Sequence, residues 1–257
     1  MILKSASYFV LPPQRIISLV PSITELLFTL GLEKEVIGIT KFCVHPQAWF
    51  KNKTRIGGTK NVNLQQVIDL KPDLILANKE ENTRTDVEFL AAHCNVWVTD
   101  IHTLEDATKM ISNIGELTGK QLLAENFISD IQVGFDKILP LHPQRRAAYF
   151  IWKDPYMVAA GNTFIDSMLH YCGLQNCFEN LQRYPEIIPG TLNKENCDVL
   201  LLSSEPYPFN EKHAQQVTHD FPEIPILLVD GEMFSWYGSR LLHSAHYFQT
   251  LNTSFSR

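Results

Sequence analysis

Short hydrophobic runs alternate with stretches of helical hydrophobic spacing along most of the chain. Short apolar runs bounded by turn residues are typical of buried strands, whereas apolar residues recurring at intervals of three and four are typical of helices. In the first half, strand-like runs lie at residues 15–20, 36–40, 73–77 and 95–99. A second series, at residues 145–152, 198–203 and 225–229, follows Pro143. Strands separated by helices predict a parallel sheet in each half.

A proline-free stretch with helical spacing connects the two series. It extends from residue 104 to 139, and Gly115 and Gly119 predict a break within it. The second part, residues 120–139, would form a helix of about 30 Å at about 1.5 Å per residue. We therefore expect an α/β fold of two Rossmann-like lobes with parallel sheets, joined by one long backbone helix, with a ligand cleft between the lobes. The expected boundaries are residues 1–117 for the first lobe, 118–140 for the linking helix and 141–257 for the second lobe.

Three residue pairs have the spacing of helix N-caps. The first residue of each pair precedes an acid by three positions: Ser22 and Glu25, Thr103 and Asp106, and Thr163 and Asp166. In such pairs each side chain can accept a hydrogen bond from a free backbone N–H of the other residue. Glu25 is therefore interpreted as a capping residue rather than as a catalytic acid.

The composition narrows the class of partner. The formal net charge is -6, and lysine and arginine form no cluster along the chain. This pattern excludes a nucleic-acid surface. No stretch approaches the roughly 20 apolar residues that a membrane span requires. The expected partner is a small molecule or another protein.

The N-terminal residues and the cysteines predict the compartment. The first apolar run is stopped by Pro12 and Pro13, too early for a secretory signal. The five cysteines are scattered without CxxC spacing, which predicts neither a disulfide framework nor a zinc site. Unpaired cysteines suit a reducing compartment. We expect a cytoplasmic protein.

Aromatic residues are concentrated in loops that follow predicted strands. Ligands of open parallel sheets bind beyond the carboxyl ends of the strands, so these loops are the expected site. Each ring offers a broad, rigid, mostly apolar surface that suits a large flat ligand, although any single ring could instead pack between the lobes. The nine rings are Phe42, Trp152, Tyr156, Tyr184, Tyr207, Phe209, Phe234, Trp236 and Tyr237.

Common catalytic motifs are absent from the sequence. It contains no GxGxxG after the first strand, no GxxxxGK[ST], no GxSxG and no HExxH. His45 could ligate a metal, but a hydrogen-bonded loop histidine is favoured. Glu80 and Glu81 could act as an acid/base pair, but acids at a helix start more often interact with the helix dipole. These features favour a binding protein over an enzyme.

The run RIISLVPSITELLFTLGL, followed by VIGIT and by GGTKNVNLQQVIDLKPDLILA, carries a family resemblance. Together with the long helix, it resembles the helical-backbone periplasmic binding proteins, which deliver cobalamin, haem and iron siderophores to ABC transporters. The similarity extends from about Arg15 to Phe248 and is strongest to the cobalamin-binding branch. That branch holds the corrin ring edge-on between aromatic side chains. A periplasmic location is the alternative that this resemblance implies.

The resemblance, with the loop chemistry, defines a set of predicted ligand contacts. Trp236 and Phe234 would supply ring faces, and Arg240 would bind an amide or a carboxylate. His45 would in addition be an axial metal ligand. The full set is Phe42, His45, Lys60, Asn78, Glu80, Trp152, Tyr156, Tyr184, Tyr207, Phe234, Trp236, Tyr237 and Arg240.

The chain departs from the family at the predicted permease contacts. Transport members carry on each lobe a surface glutamate that docks onto permease arginines. The corresponding positions here are Gln65, and Gly190 or Thr191. Loss of both carboxylates predicts weakened docking to an ABC permease.

The predicted function is non-enzymatic binding of a cobalamin-like corrinoid, with no intrinsic cofactor. Haem or a ferric siderophore is the alternative ligand within the same class of small tetrapyrroles and metal chelates. From another class, the alternative is an enzyme acting on a tetrapyrrole or a metal through His45, Glu80 and Glu81. A sensor read by a partner protein is a third alternative.

Overall fold

A computed structural model describes residues 1–3 and 11–255. The N-terminal apolar run interpreted above lies largely outside the described residues. The chain divides into two compact units. Unit 1 contains Met1–Ile101, Glu105–Asp130 and Tyr237–Arg240. Unit 2 contains His102–Leu104, Ile131–Trp236 and Leu241–Arg257.

Unit 1 is built on a parallel sheet of six strands. The strands are β1 (Ile2–Leu3), β2 (Ile16–Ser18), β3 (Val36–Ile39), β4 (Thr54–Arg55), β5 (Leu74–Asn78) and β6 (Val96–Thr99). Their order is β1-β6-β5-β2-β3-β4, and every pairing is parallel. Because strands β2 and β5 are fully buried, they consist of almost continuous apolar runs. The parallel sheet predicted for the first half is confirmed.

Four helices of unit 1 lie between its strands in sequence and cover the sheet. They are α1 (Pro21–Thr29), α2 (Gln47–Asn52), α3 (Leu64–Asp69) and α4 (Arg84–Ala91). Val67 and Leu90 from two of these helices pack against Ile17 and Ile75 of the central strands in one hydrophobic cluster. The carboxyl ends of all six strands consequently meet at one edge, from which the loops of the candidate site emerge.

The proline-free stretch forms two helices, α5 (Leu104–Thr118) and α6 (Gln121–Asp136). Gly119 adopts a left-handed conformation, with φ of 68°, so the break predicted there is confirmed. The break predicted at Gly115 is wrong, because this residue lies inside α5. A β-carbon at position 115 would come within 2.4 Å of the Ala124 side chain, so glycine allows the two helices to approach closely. The 16 residues of α6 span about 24 Å at about 1.5 Å per residue.

Unit 2 contains a mixed sheet. Its strands are β7 (Arg145–Trp152), β8 (Tyr156–Ala159), β9 (Leu174–Asn176), β10 (Glu186–Ile187), β11 (Val199–Ser203) and β12 (Ile226–Val229). The order is β10-β8-β7-β11-β12, and β9 also pairs with β7. The predicted strands β7, β11 and β12 pair in parallel, β7 with β11 and β11 with β12, as expected. Strand β9, which was not predicted, also pairs with β7 in parallel, whereas the pairings of β8 with β7 and with β10 are antiparallel. The difference arises because residues 153–155 form a tight connection that folds β8 back on β7.

The helices of unit 2 are α7 (Phe164–Tyr171), α8 (Glu211–Asp220), α9 (Glu232–Ser235) and α10 (Leu241–Phe255). Thr163 caps α7 by accepting a hydrogen bond from the Asp166 backbone N–H at 3.1 Å, so this predicted cap is confirmed. The cap predicted for Ser22 is wrong: Pro21 is the first residue of α1, which leaves Ser22 inside the helix. Among the described residues, no helix is both long and hydrophobic enough to cross a membrane.

Candidate functional site

Phe42 is an exposed ring at the carboxyl edge of the sheet in unit 1. It lies in the loop after β3, and half of its surface is accessible. The Lys41 ammonium is 5.1 Å from the ring centroid, within the range of a cation–π contact. A β-carbon on Gly58 would lie 3.2 Å from Phe42 Cε2, so the ring rests against the glycine-containing loop after β4. Phe42 is therefore positioned to offer an apolar face at the carboxyl edge of the sheet.

Asn78, at the end of β5, organises the neighbouring loop. Its Oδ1 accepts hydrogen bonds from the backbone N–H groups of Glu80 and Glu81, at 2.8 and 3.2 Å. Its Nδ2 donates to the backbone oxygen and hydroxyl of Thr99, at 3.2 and 3.0 Å. Both donor hydrogens and both acceptor sites of this buried side chain form hydrogen bonds within unit 1. Asn78 is thus placed to position the loop, and its direct contact with a ligand stays a prediction.

Asn82 is a second organising residue, and the sequence did not single it out. Its Oδ1 accepts from the Asn78 backbone N–H at 2.8 Å. Its Nδ2 donates to the backbone oxygens of Leu19 and Thr59, at 3.3 and 3.0 Å. One buried amide therefore joins the loops that follow β2, β4 and β5. The signal available in the sequence was the closing asparagine of ANKEEN, a type of residue that bonds readily to nearby backbone.

Charged groups surround the same edge of unit 1. The exposed Lys60 ammonium donates a hydrogen bond to the Glu80 backbone oxygen. Burial raises the pKa of Glu81, and the charge of Lys60 opposes that shift only in part. Glu80 is half-buried beside them. The structure thus brings the predicted residues Lys60, Asn78 and Glu80 together around one loop.

His45 is half-buried in the loop before α2. No group of three or more metal-ligating side chains occurs in the part of the chain that the structure describes. A single axial ligand does not require such a group, so the role of His45 as a metal ligand stays a prediction.

Unit 2 has its own aromatic cluster at the carboxyl edge. Trp152, at the end of β7, is 42% exposed, and its ring centroid lies 5.5 Å from that of Tyr207. Tyr207 also packs against Phe209 at 4.8 Å, and its hydroxyl lies 3.2 Å from His213 Nε2. The Tyr207 backbone N–H donates to the Ile151 oxygen at 3.3 Å. The loop after β11 therefore supports an exposed indole face.

Glu205 is the main residue of unit 2 that the sequence did not single out. Its Oε1 accepts hydrogen bonds from Trp236 Nε1, at 2.8 Å, and from the Ser235 hydroxyl. Trp236 is 7% exposed, so this contact fixes the indole against the loop after β11. Glu205 lines a surface depression together with Ser204, Phe209, Leu228, Val229, Asp230 and Glu232. The predicted ring Trp236 is thus held in place by a carboxylate, with little free face.

Phe234 is a core residue. It is completely buried, and its centroid lies 4.7 Å from that of Phe248 and 5.1 Å from that of Tyr149. The helical turn α9 directs its side chain inward, which leaves no surface for the predicted ligand contact.

The remaining predicted residues of the two units have mixed exposure. Tyr184 is half-buried with the Arg183 guanidinium 5.9 Å from its ring, and Tyr237 is buried.

Tyr156 lies in β8 with its ring in the core of unit 2, against Phe150 and Phe221. Its hydroxyl donates to Asp220 Oδ2 at 2.7 Å. Burial, reinforced by that hydrogen bond to Asp220, raises the pKa of Tyr156, while the same bond lowers the pKa of Asp220. The side chain has the environment of a structural residue.

Tyr156→Phe is expected to reduce the free energy of unfolding by about 1 kcal/mol at pH 7, because the hydrogen bond from the Tyr156 hydroxyl to Asp220 is lost. Because folding lowers the pKa of Asp220, the ionised carboxylate stabilises the folded protein fully above the unfolded pKa of about 4. This contribution is lost as the pH falls through the pKa of the folded state. The difference between variant and wild type should therefore shrink below about pH 4 in urea titrations. A variant as stable as wild type at pH 7 but impaired in ligand binding would show that Tyr156 contacts the ligand.

Arg240 and Glu25 form an ion pair within unit 1. Arg240 Nη2 lies 2.6 Å from Glu25 Oε1, and Nε lies 3.1 Å from Oε2, a bidentate arrangement. The side chains are 12% and 19% exposed. Glu25 is therefore an ion-pair residue rather than the predicted cap. Its carboxylate compensates the charge that Arg240 was expected to offer to a ligand.

The fold and these loops are those of a binding protein. Each α/β unit carries aromatic and polar side chains on the loops at the carboxyl ends of its strands. A family model described as "Periplasmic binding protein" matches residues 16–223, and the chain belongs to this family. A vitamin B12-binding protein of Pectobacterium carotovorum subsp. carotovorum (strain PC1) is 25% identical over 254 residues, covering 95% of this chain and 90% of the relative.

Solved structures show the same fold. The periplasmic vitamin B12 binding protein of Vibrio cholerae has a TM-score of 0.76 at 18% identity, covering 96% of this chain and 99% of that one. The periplasmic haem binding protein of the same organism has a TM-score of 0.78 at 19% identity, covering 93% and 98%. The predicted family and the α/β fold with two parallel-rich sheets are confirmed. The chain is a non-enzymatic substrate-binding protein, as predicted.

The predicted cytoplasmic location is wrong. The matching family is that of periplasmic binding proteins, and the similar solved structures are periplasmic. These findings indicate a location outside the cytoplasm. Neither the N-terminal residues nor the spacing of the cysteines carried that information.

Proposed function

We propose that the protein binds a cobalamin-like corrinoid through loops at the carboxyl edges of its two sheets. The observation that carries the proposal is the exposure of Phe42 in unit 1 and of Trp152 in unit 2, both at such edges. An exposed large ring is costly in water and gives broad contact area to a planar apolar ligand. The vitamin B12-binding relative, matched over most of both chains, supports the choice of ligand.

The structure supports dividing the predicted contacts into two roles. Phe42 and Trp152 would contact the ligand, with Tyr207 behind Trp152. Lys60, in the glycine-containing loop against which Phe42 rests, would add a charged group. Asn78 and Glu205 would position the loops that carry these groups. Because hydrogen bonds fix the loops before binding, little entropy is lost when the ligand is bound.

Haem is the second candidate ligand, and the similar haem binding protein of Vibrio cholerae supports it. A half-buried imidazole in a loop at the edge of unit 1 would suit an axial ligand of either iron or cobalt. An anionic ferric siderophore is less well supported. Its recognition calls for several uncompensated guanidinium groups, whereas Arg240 is paired with Glu25 and Arg84 with Glu88. The third arginine of the loops, Arg183, lies over the Tyr184 ring.

Delivery to an ABC permease is proposed to be weaker than in relatives that have acids at both docking positions. Gln65 is exposed on α3, and its amide donates to Asp69 Oδ1 at 2.8 Å. Gly190 and Thr191 are exposed in the second unit. A neutral amide lacks the charge-assisted pairing that a carboxylate forms with arginine.

Trp152→Ala is expected to weaken cobalamin binding by about 1–3 kcal/mol, measured as the dissociation constant by calorimetry, because a central aromatic face is removed. The variant should fold normally, since the ring is 42% exposed and lies outside the core. Tyr171→Ala is the matched control: its ring is 43% exposed but lies on the last residue of α7, before β9, at the amino edge of the sheet. Equal affinities of wild type and Trp152→Ala would contradict the proposed role.

A further inference from the structure

The loop after β3 alternates exposed and buried side chains. Lys41, Phe42 and Val44 are exposed, whereas Cys43, between the last two, is completely buried. The loop follows the carboxyl end of a strand, where ligands of parallel sheets bind. It therefore presents an ammonium group, an aromatic ring and a small apolar side chain at this edge of unit 1.

Cys43 anchors the loop to the interior of unit 1. Its sulfur lies 3.1 Å from the hydroxyl of Thr24 in α1 and 3.1 Å from that of Thr40, and all three side chains are completely buried. The Thr40 hydroxyl also accepts a hydrogen bond from the Phe42 backbone N–H at 3.3 Å. The Cys43 backbone N–H donates to the Thr40 oxygen at 3.2 Å. The loop is therefore fixed before a ligand arrives, which reduces the entropy lost on binding.

Lys41 is held over the neighbouring ring. Its backbone N–H donates to the Gly57 oxygen at 2.8 Å. A β-carbon on Gly58 would lie 3.3 Å from Lys41 Cε, so the aliphatic part of the side chain packs on this glycine. The ammonium nitrogen lies 5.1 Å from the Phe42 ring centroid. The charge of Lys41 is thus placed beside the ring that is proposed to contact the ligand.

The ammonium group of Lys41 forms no ion pair within the part of the chain that the structure describes. Lys79, by comparison, is paired with Asp100 at 2.6 Å. Lys60, in the neighbouring loop, donates a hydrogen bond to the Glu80 backbone oxygen. A lysine that is held in place without a counter-charge can bind an anionic group of a ligand as a point charge.

We propose that Lys41 binds the phosphodiester group of the corrinoid, an inference that rests on the proposed function. A complete corrinoid such as cobalamin carries this group in the chain that links the corrin ring to its nucleotide base. The Phe42 ring would contact the apolar edge of the macrocycle, while the adjacent ammonium group neutralises the phosphodiester. The propionates of haem offer the same anionic oxygen chemistry, but the vitamin B12-binding relative favours the phosphodiester.

The test compares two corrinoids that differ in this group. Cyanocobalamin contains the phosphodiester, dicyanocobinamide lacks it together with the base, and neither ligand carries a net charge. Both are titrated by calorimetry into wild type, Lys41→Met and Lys41→Arg. Lys41→Met should bind cyanocobalamin about 5-fold more weakly than wild type does, and dicyanocobinamide equally well, because only the first complex loses an ion pair. Lys41→Arg should keep the affinities of wild type, since the charge is retained.

Salt and a second lysine provide the controls. Sodium chloride should weaken the binding of cyanocobalamin to wild type more than to Lys41→Met, because salt screens an exposed ion pair. Lys34→Met is the matched variant: this exposed lysine lies before β3, at the opposite edge of the sheet. Its replacement should leave the affinities for both corrinoids unchanged.

The binding of wild type separates an error about Lys41 from an error about the ligand. If wild type binds neither corrinoid, the proposed function is wrong, and the role of Lys41 is overturned with it. If wild type binds both, and Lys41→Met binds them equally well or loses the same affinity for each, the role of Lys41 alone is overturned. A loss of affinity for haemin without one for cyanocobalamin would assign Lys41 to a carboxylate and overturn the phosphodiester.

Discussion

Gly231→Ala is expected to destabilise unit 2 by about 2–3 kcal/mol, as overpacking of a closely packed site does. The added β-carbon would lie 2.4 Å from Ser203 Oγ, 2.6 Å from Glu205 Cγ and 2.9 Å from the Glu205 backbone nitrogen. Backbone φ at this position is -63°, which any residue can adopt, so space alone requires glycine. Urea unfolding measured by circular dichroism gives the change directly.

The surrounding groups cannot move aside easily. Ser203 Oγ is fixed by the Tyr149 hydroxyl at 2.9 Å and by the Glu205 backbone. Displacing Glu205 would separate its carboxylate from Trp236 and Ser235, so cobalamin affinity should fall together with stability. Gly134→Ala is the control within unit 2: its β-carbon would meet the Ala245 side chain at 3.1 Å, and the expected change is within about 1 kcal/mol. If both variants were equally stable, the crowding at Gly231 would be disproved.

Glu25→Gln is expected to lower the stability of unit 1 by about 2–3 kcal/mol, because it leaves the Arg240 guanidinium buried without its counter-charge. Arg240→Met should have an effect of similar size for the reverse reason. Since the two side chains act on each other, the double variant should lose less than the sum of the single losses. Chemical unfolding of the wild type, the two single variants and the double variant gives the interaction energy of the pair.

The ion pair fixes a segment that returns from unit 2 to unit 1. Residues Tyr237–Arg240 belong to unit 1, and a β-carbon on Gly238 would lie 3.1 Å from the Ser22 backbone oxygen of α1. The exposed pair Arg84–Glu88 provides the comparison: Arg84→Gln should leave the free energy of unfolding almost unchanged. A loss at Glu25 as small as at Arg84 would show that the buried pair contributes nothing to stability.

Regular secondary structure was largely predictable from the sequence. The parallel sheet of unit 1 follows from buried apolar runs, and Thr163 was recognised as a cap because its partner Asp166 is three residues away. Both signals are local. The antiparallel β8 was not predicted, because its direction depends on the short connection after Trp152 rather than on the hydrophobic pattern.

The candidate site was less predictable because its contacts join distant residues. Glu25 looked like a local cap, whereas its partner Arg240 lies 215 positions along the chain. Phe234 looked exposed beside Trp236 and Tyr237, but the short helix α9 turns it into the core. The glutamate of the SSEPYPF loop was visible in the sequence, yet its role depends on Trp236, 31 positions later.

The most direct test of the proposed function is a calorimetric and spectroscopic titration of the purified apo-protein with hydroxocobalamin, haemin and a ferric hydroxamate siderophore. We expect hydroxocobalamin to bind with one-to-one stoichiometry and with a dissociation constant at least about 100-fold lower than those of the other two, a difference of about 2.7 kcal/mol. Tighter binding of haemin or of the siderophore, or no binding of hydroxocobalamin, would contradict the proposal that the ligand is a corrinoid.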